Sequence, residues 1–258
     1  MQWPVVGGRS SVQDMYELIP VAEAPELDSE AERRFVEEWP EFIFHDEKVG
    51  LYRDRRRSYF PDWEFYLVDD TRRLIGGCWG VPLAWDSTVE DLPGGFTDSL
   101  VRSVDSYEAG AEPNTFVLMA AAVRNDEQGK GHSARVITAV KEQALTRGLT
   151  RMIAPVRPTL KSSYPLTDIA EFMTWTRPDG LPLDPWLRTH VRLGATILAP
   201  APASQTMTGT VADWESWTGL ALPSSGTYVI PNGLTTLSVD HAADTGLYVE
   251  PNIWMRHA

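Results

Sequence analysis

The chain has 258 residues, of which 43% are hydrophobic and 23% charged, with a net charge of −13 and one cysteine, Cys78. That composition can bury a core and argues against disorder. The acidic balance disfavours binding to nucleic-acid phosphates, and the lone cysteine excludes an intrachain disulfide and any cysteine-rich metal site. No apolar run is long enough to span a bilayer, and the start at Met1 shows no basic segment followed by an apolar core. The expected compartment is therefore the cytoplasm, with no membrane partner.

In chain order, residues 1–14 read as a loose tail and Tyr16 to Ala22 as a first strand. Asp28 to Trp39 reads as an acidic-first helix ended by Pro40, with Asp28 or Ser29 as N-cap. A basic cluster of Arg53, Arg55, Arg56 and Arg57 follows. It reads either as a solvated loop or as a contact for the phosphates of a ligand. Trp63 to Val68 and Leu74 to Ala84 read as a hairpin, and Thr97 to Tyr107 as a helix. Phe116 to Val123 is a short, continuous apolar run without Gly or Pro, so it reads as a buried strand. The run from Ala134 to Leu145 carries Val136, Ile137, Val140, Ala144 and Leu145 at helical spacing, with Gly148 as the stop. A strand at Arg151 to Val156 completes a mixed sheet with helices on both faces.

Residues from about 157 onward are rich in Pro, Gly, Trp and Thr. Asp184 to Gly194 reads as a helix with Pro185 at its first position and Gly194 at its end. A short strand at Ala195 to Ala199, a Trp-rich helix at Val211 to Thr218 and strands near 226–230, 234–239 and 246–257 follow, extending the sheet or packing on it. No linker is long enough for an independent second domain.

Between the strand at 116–123 and the helix after it lies a Gly-rich turn. Such a turn presents free backbone N–H groups and the positive end of a helix dipole, a cradle for phosphate. The spacing does not match the dinucleotide fingerprint or the phosphate loop of nucleotide hydrolases. It reads Gln128-x-x-Gly131-x-Ser133. This resembles the pyrophosphate motif of the GNAT superfamily of acyl-CoA-dependent N-acyltransferases, with Ser at a place usually held by Gly or Ala. A plain structural turn is the alternative.

The resemblance implies an α/β (α+β) fold with a mixed, mostly antiparallel central sheet flanked by helices. The core would span about 15–200 and a C-terminal extension about 200–258, in one domain. It implies acetyl-CoA as co-substrate, with pantetheine along Ala121, Ala122 and Val123 and pyrophosphate on Gln128, Gly129, Lys130, Gly131, His132, Ser133 and Ala134. It also implies a splay between residues 118–123 and 151–156. A narrower stretch, Asp184 to His190 followed by Gly194 and Ala195, looks like a segment of the GNAT-like domains that load polyketide synthases. In those domains the His is catalytic and is accompanied by a Thr and an Arg. This chain has Val156 and Gln205 at the corresponding places, which argues for ordinary acyl transfer over decarboxylation.

Acyl transfer to an amine needs a held amine, a base and a proton donor for the thiolate. A thioester is already activated, so no metal is required, and no metal-ligand spacing is read here. His190 is the expected base or acid, with Arg188 and Arg192 expected to keep it neutral. Tyr164 is a thiolate donor by the family resemblance. Asp126 and Glu127 are alternative bases, read as a solvated loop face, and His132 is read as a backbone contact. Among the ten tryptophans, Trp85 is the expected acceptor-pocket residue. The function expected is transfer of an acetyl group from acetyl-CoA to a small-molecule amine. The alternatives are a decarboxylating S-acyltransferase acting on a carrier protein and a non-catalytic CoA-binding module. Oligomeric state is not legible.

Overall fold

The computed structural model describes residues 16–36 and 39–257. The expected tail at 1–14 and two residues of the expected helix before Pro40 lie outside them. Nine strands form one sheet: β1 (Tyr16–Pro20), β2 (Glu64–Asp69), β3 (Leu74–Leu83), β4 (Thr115–Val123), β5 (Arg151–Val156), β6 (Ala195–Gly209), β7 (Gly226–Val229), β8 (Thr236–Asp240) and β9 (Thr245–His257). The order is β1-β2-β3-β4-β5-β9-β8-β7, with β6 also paired to β9. The β4–β5 pair is parallel, and the other described pairs are antiparallel. The mixed, mostly antiparallel expectation holds.

The helices are α1 (Asp28–Val36), α2 (Glu47–Tyr59), α3 (Phe96–Glu108), α4 (His132–Thr146), α5 (Ile169–Phe172), α6 (Pro185–Arg192) and α7 (Val211–Thr218). None of them is long and apolar enough to cross a membrane. The largest core cluster joins β2–β5 to α3, α4, α6 and β9. It includes Phe65, Val81, Leu100, Phe116, Val140, Ile153 and Trp254. A second cluster, with Phe42, Trp214 and Tyr248, lies around α7, β8 and β9.

Two sequence expectations for α1 and α2 change. The basic cluster is on a helix, not a loop. Asp46 caps α2 by accepting from the Val49 N–H at 3.1 Å. Arg56 is buried, bonded to Glu64 at 2.9 Å and stacked 4.4 Å over Trp79, and Arg55 pairs with Glu108 at 3.1 Å. These arginines are used by the protein's own carboxylates. Asp28 is the first residue of α1 and not its cap; its carboxylate accepts from the Tyr66 hydroxyl at 2.9 Å.

The C-terminal strand positions the site. One edge of β9 pairs with β6 from Gly246 to His257, while the other pairs with β8 at one end and with β5 at Ile253–His257. The last residues of β9 are therefore held between two strands.

Candidate active site

Strands β4 and β5 pair at Thr115–Arg151, Phe116–Met152 and Val117–Ile153, and then part. Two features of the sequence cause this. Between Trp79–Ala120 and Gly80–Leu118 the β3–β4 register shifts, so Met119 is an extra residue in a bulge that bends β4. Gly80 allows the close approach there: a Cβ would lie 2.3 Å from the Val117 carbonyl oxygen. On the other side, Pro155 has no N–H to donate to a ladder.

The Arg124 N–H bonds the Ile75 carbonyl at 3.0 Å, with Gly76 opposite Val123 and Cys78 opposite Ala121. Antiparallel alternation then turns the backbone polar groups of Val123 and Ala121 away from β3, into the gap. A cavity fills that gap. Its walls include Leu118 to Ala121 from β4, Ala154 to Val156 from β5, and His190, Gln205 and Asn252. The expected splay is present from residue 118 on β4, but on β5 it begins only at Ala154, because Arg151 to Ile153 are still paired.

At the end of β4 the chain makes a 3₁₀ turn (Asn125–Glu127) and enters α4 through Gly129 at φ +76° and Gly131 at φ +84°. Those angles suit glycine, and among the described residues a Cβ at either position would meet nothing within 4 Å, so none of them covers the outer surface of the turn. Gly131 is the N-cap of α4. The N–H groups of His132, Ser133 and Ala134 have no acceptor within the helix. Open donors at a helix N-terminus fit a pyrophosphate. Lys130 reaches 2.9 Å from Glu127, which also pairs with Arg73 at 2.7 Å. Lys130 and Arg73 hold the Glu127 carboxyl down at about 2.

His190 is in the last turn of α6. The Asp184 side chain sets that helix, accepting from the N–H groups of Trp186 (2.8 Å), Leu187 (2.9 Å) and Leu160 (2.6 Å). His190 is fully buried and lines the cavity. Its Nδ1 lies 2.8 Å from Nε2 of His257 on β9, and Trp186 packs edge-on at 4.4 Å. Among the described residues, Nε2 of His190 has no hydrogen-bond partner. Burial, and then His257, push its pKa down to about 3. The neutrality expected of His190 is present but for a different reason. Arg188 turns back to the carbonyls of Pro182 (2.8 Å) and Leu183 (2.9 Å), and neither flanking arginine sets the shift.

Other expected residues fall elsewhere. Tyr164 does not line the cavity; it is exposed, with its ring against Trp175 at 5.0 Å. Trp85 is a core residue whose Nε1 donates to the Thr88 carbonyl at 2.8 Å, and Trp39 and Trp186 line the cavity in its place. Glu127 is buried in ion pairs and not solvated, and exposed Asp126 is bonded to Arg124 and Arg73. Neither is a free base. The His132 ring is buried against Tyr16 at 4.6 Å, leaving its backbone to the open turn. Val156 and Gln205 both line the cavity beside His190. Sequence reasoning missed His257, Asn252 and Arg157; each meets the site only through long-range pairing of β5, β6 and β9.

A parallel strand pair opens beside a glycine turn, with a neutral imidazole on the wall of the gap. The chain belongs to the GNAT superfamily of acyl-CoA-dependent N-acyltransferases, and it is an N-acetyltransferase. It is 30% identical to arginine N-acetyltransferase avaD of Aspergillus versicolor over a 246-residue alignment, covering 85% of this chain and 84% of that protein. No protein-family model matches the chain. In fold it is similar to the loading GNAT-like domain of CurA from Lyngbya majuscula, with a TM-score of 0.55 and 16% identity, covering 94% of this chain and 96% of that one. It is also similar to the GNAT-like decarboxylase of GphF in complex with isobutyryl-CoA, with a TM-score of 0.51 and 14% identity over 94% and 98% of the two chains.

Proposed function

We propose that the chain transfers the acetyl group of acetyl-CoA to the α-amine of arginine or a closely related amino acid, with His190 as the base. The observation that carries this reading is the opening of β4 from β5 into a cavity with His190 on its wall. The similarity to an arginine N-acetyltransferase supports the acceptor class. Arg157 also lines the cavity. It is bonded to buried Glu250 and to the Asn232 carbonyl, so its charge is already paired within the protein.

The thioester supplies an activated carbonyl, and the chain supplies position and proton management. Pantetheine would lie along Ala121 to Val123, and pyrophosphate on Gln128 to Ala134. Of the β4 groups, the N–H of Ala121 or Val123 would polarise the thioester oxygen. His190 Nε2 takes the proton of the attacking amine and returns it to the departing sulfur. The α-amine is the nitrogen that suits this chemistry, because a guanidinium stays protonated at neutral pH.

Incubation with acetyl-CoA and a panel of amino acids, with products read by mass spectrometry, tests the reading. N-acetylarginine, or the product of an amino acid close to it, is expected. Tight acetyl-CoA binding without acetylation of any amino acid overturns the acceptor class.

A further inference from the structure

His257 is a second buried imidazole that the chemistry above does not use. Its backbone is held on both sides, opposite Met152 of β5 and Ala195 of β6, so its ring is carried by the interior of the sheet and not by a loop. Its Nε2 meets Nδ1 of His190 at 2.8 Å with the rings tilted by 56°. Among the described residues its Nδ1 has no hydrogen-bond partner, and neither does Nε2 of His190.

One hydrogen occupies the bond between two neutral imidazoles. Two arrangements follow. If His190 donates from Nδ1, its Nε2 is a lone pair and can accept a proton. If His257 donates from Nε2, His190 presents Nε2–H and cannot act as a base. Which ring donates therefore decides whether the site works. Burial disfavours a charged form of either ring, so the pair remains neutral when at rest.

We propose that His257 is the positioning residue for His190: its Nε2 accepts the His190 Nδ1–H and fixes the tautomer that leaves His190 Nε2 free for the acceptor amine. This rests on the reading of His190 as the base. The proton balance is simple. As the N–C bond forms and the C–S bond breaks, one amine proton moves to His190 Nε2 and from there to sulfur, while the Nδ1–H stays shared with His257. A neutral partner has a consequence that a carboxylate would not. It orients the ring while strengthening its hold on the proton less than a carboxylate would, so the imidazolium gives it up more readily to the thiolate.

The test uses the full chain labelled with 15N-histidine. In the wild-type protein, His190 Nε2 is expected to show a pyridine-type shift and Nδ1 a pyrrole-type shift, assigned with His190→Gln. Kinetically, His257→Phe should lower kcat about 10-fold or more without changing KM for acetyl-CoA. His257→Gln, whose amide oxygen can accept the same bond, should recover most of the loss. In a His190→Ala background, His257→Phe should cost nothing further. A pyrrole-type shift at His190 Nε2, an undiminished kcat in a folded His257→Phe, or additive losses would overturn the proposal. If His257→Phe fails to fold, the wild-type nitrogen shifts decide alone. If His190→Ala keeps full kcat, the base itself is misassigned, a result distinct from failure at His257.

Discussion

Val117 and Ile153 are the last paired residues of the parallel β4–β5 ladder. Three residue pairs hold the two strands together, and everything past Val117 is free to line a cavity. The bulge at Met119 and the missing N–H of Pro155 act from opposite sides of the gap, so the opening is written into both strands. The same divergence brings Val156 and His190 to one space.

The left-handed turn should be sensitive to a single methyl group. Gly131→Ala has room for its Cβ but not the right backbone angle. That strain is about 1–2 kcal/mol, and for a chain of this size it should lower Tm by roughly 2–8 °C. Stabilisation by acetyl-CoA should shrink as well, because the turn's N–H groups no longer converge. A melting experiment with and without acetyl-CoA checks both. Unchanged stabilisation would remove the turn from the binding site.

Stability should fall on the acid side of neutrality. The folded pKa values of His190 and His257 are pushed down to about 3 and about 4, whereas the unfolded chain titrates near 6.5. Below 6.5 the unfolded state binds the extra protons. The contribution is therefore complete above that pH and is lost as pH falls toward the folded values. Each histidine adds up to about 1.4 kcal/mol per pH unit to the slope. Urea unfolding of the wild type between pH 7 and pH 5 should be steeper in pH than that of His257→Phe. Parallel curves would contradict the neutral pair.

Malonyl-CoA should not be decarboxylated. Val156 and Gln205 line the cavity where the loading domains that the sequence resembles carry a Thr and an Arg. Neither an aliphatic side chain nor a neutral amide can stabilise the developing enolate as a cation would. Mass spectrometry of malonyl-CoA after incubation should show no enzyme-dependent acetyl-CoA. Its formation would favour the loading chemistry.

The two tryptophans should separate stability from binding. Trp85→Phe loses the bond to the Thr88 carbonyl inside the core and should lower stability by about 1–3 kcal/mol, with the acceptor KM unchanged. Trp186→Ala should raise that KM, because its indole lines the cavity and braces His190. The reverse pattern, read from steady-state kinetics and melting curves, would move the acceptor pocket to Trp85.

The strand–turn–helix unit at 115–146 was legible because each local signal agreed: an apolar run, glycines at left-handed positions and a helical stripe. The α6 segment was legible from Asp184, Pro185 and Gly194 for the same reason. Helix α2 was not. Its apolar residues form no clear stripe, and long-range partners such as Glu64 and Glu108 hold its arginines. The sequence reading gives strand β6 only Ala195 to Ala199. It continues to Gly209 through two register shifts, with β9 as its partner. The His190–His257 contact joins residues 67 apart in sequence, and no local pattern encodes it.

The most direct test is the rate of CoA thiol release from acetyl-CoA with arginine as acceptor, comparing wild type with His190→Gln, after melting curves show that acetyl-CoA stabilises both. The account predicts a fall in kcat of about 100-fold or more with acetyl-CoA binding retained. Equal rates in the two proteins would mean that the imidazole on the wall of the β4–β5 gap does not move the proton.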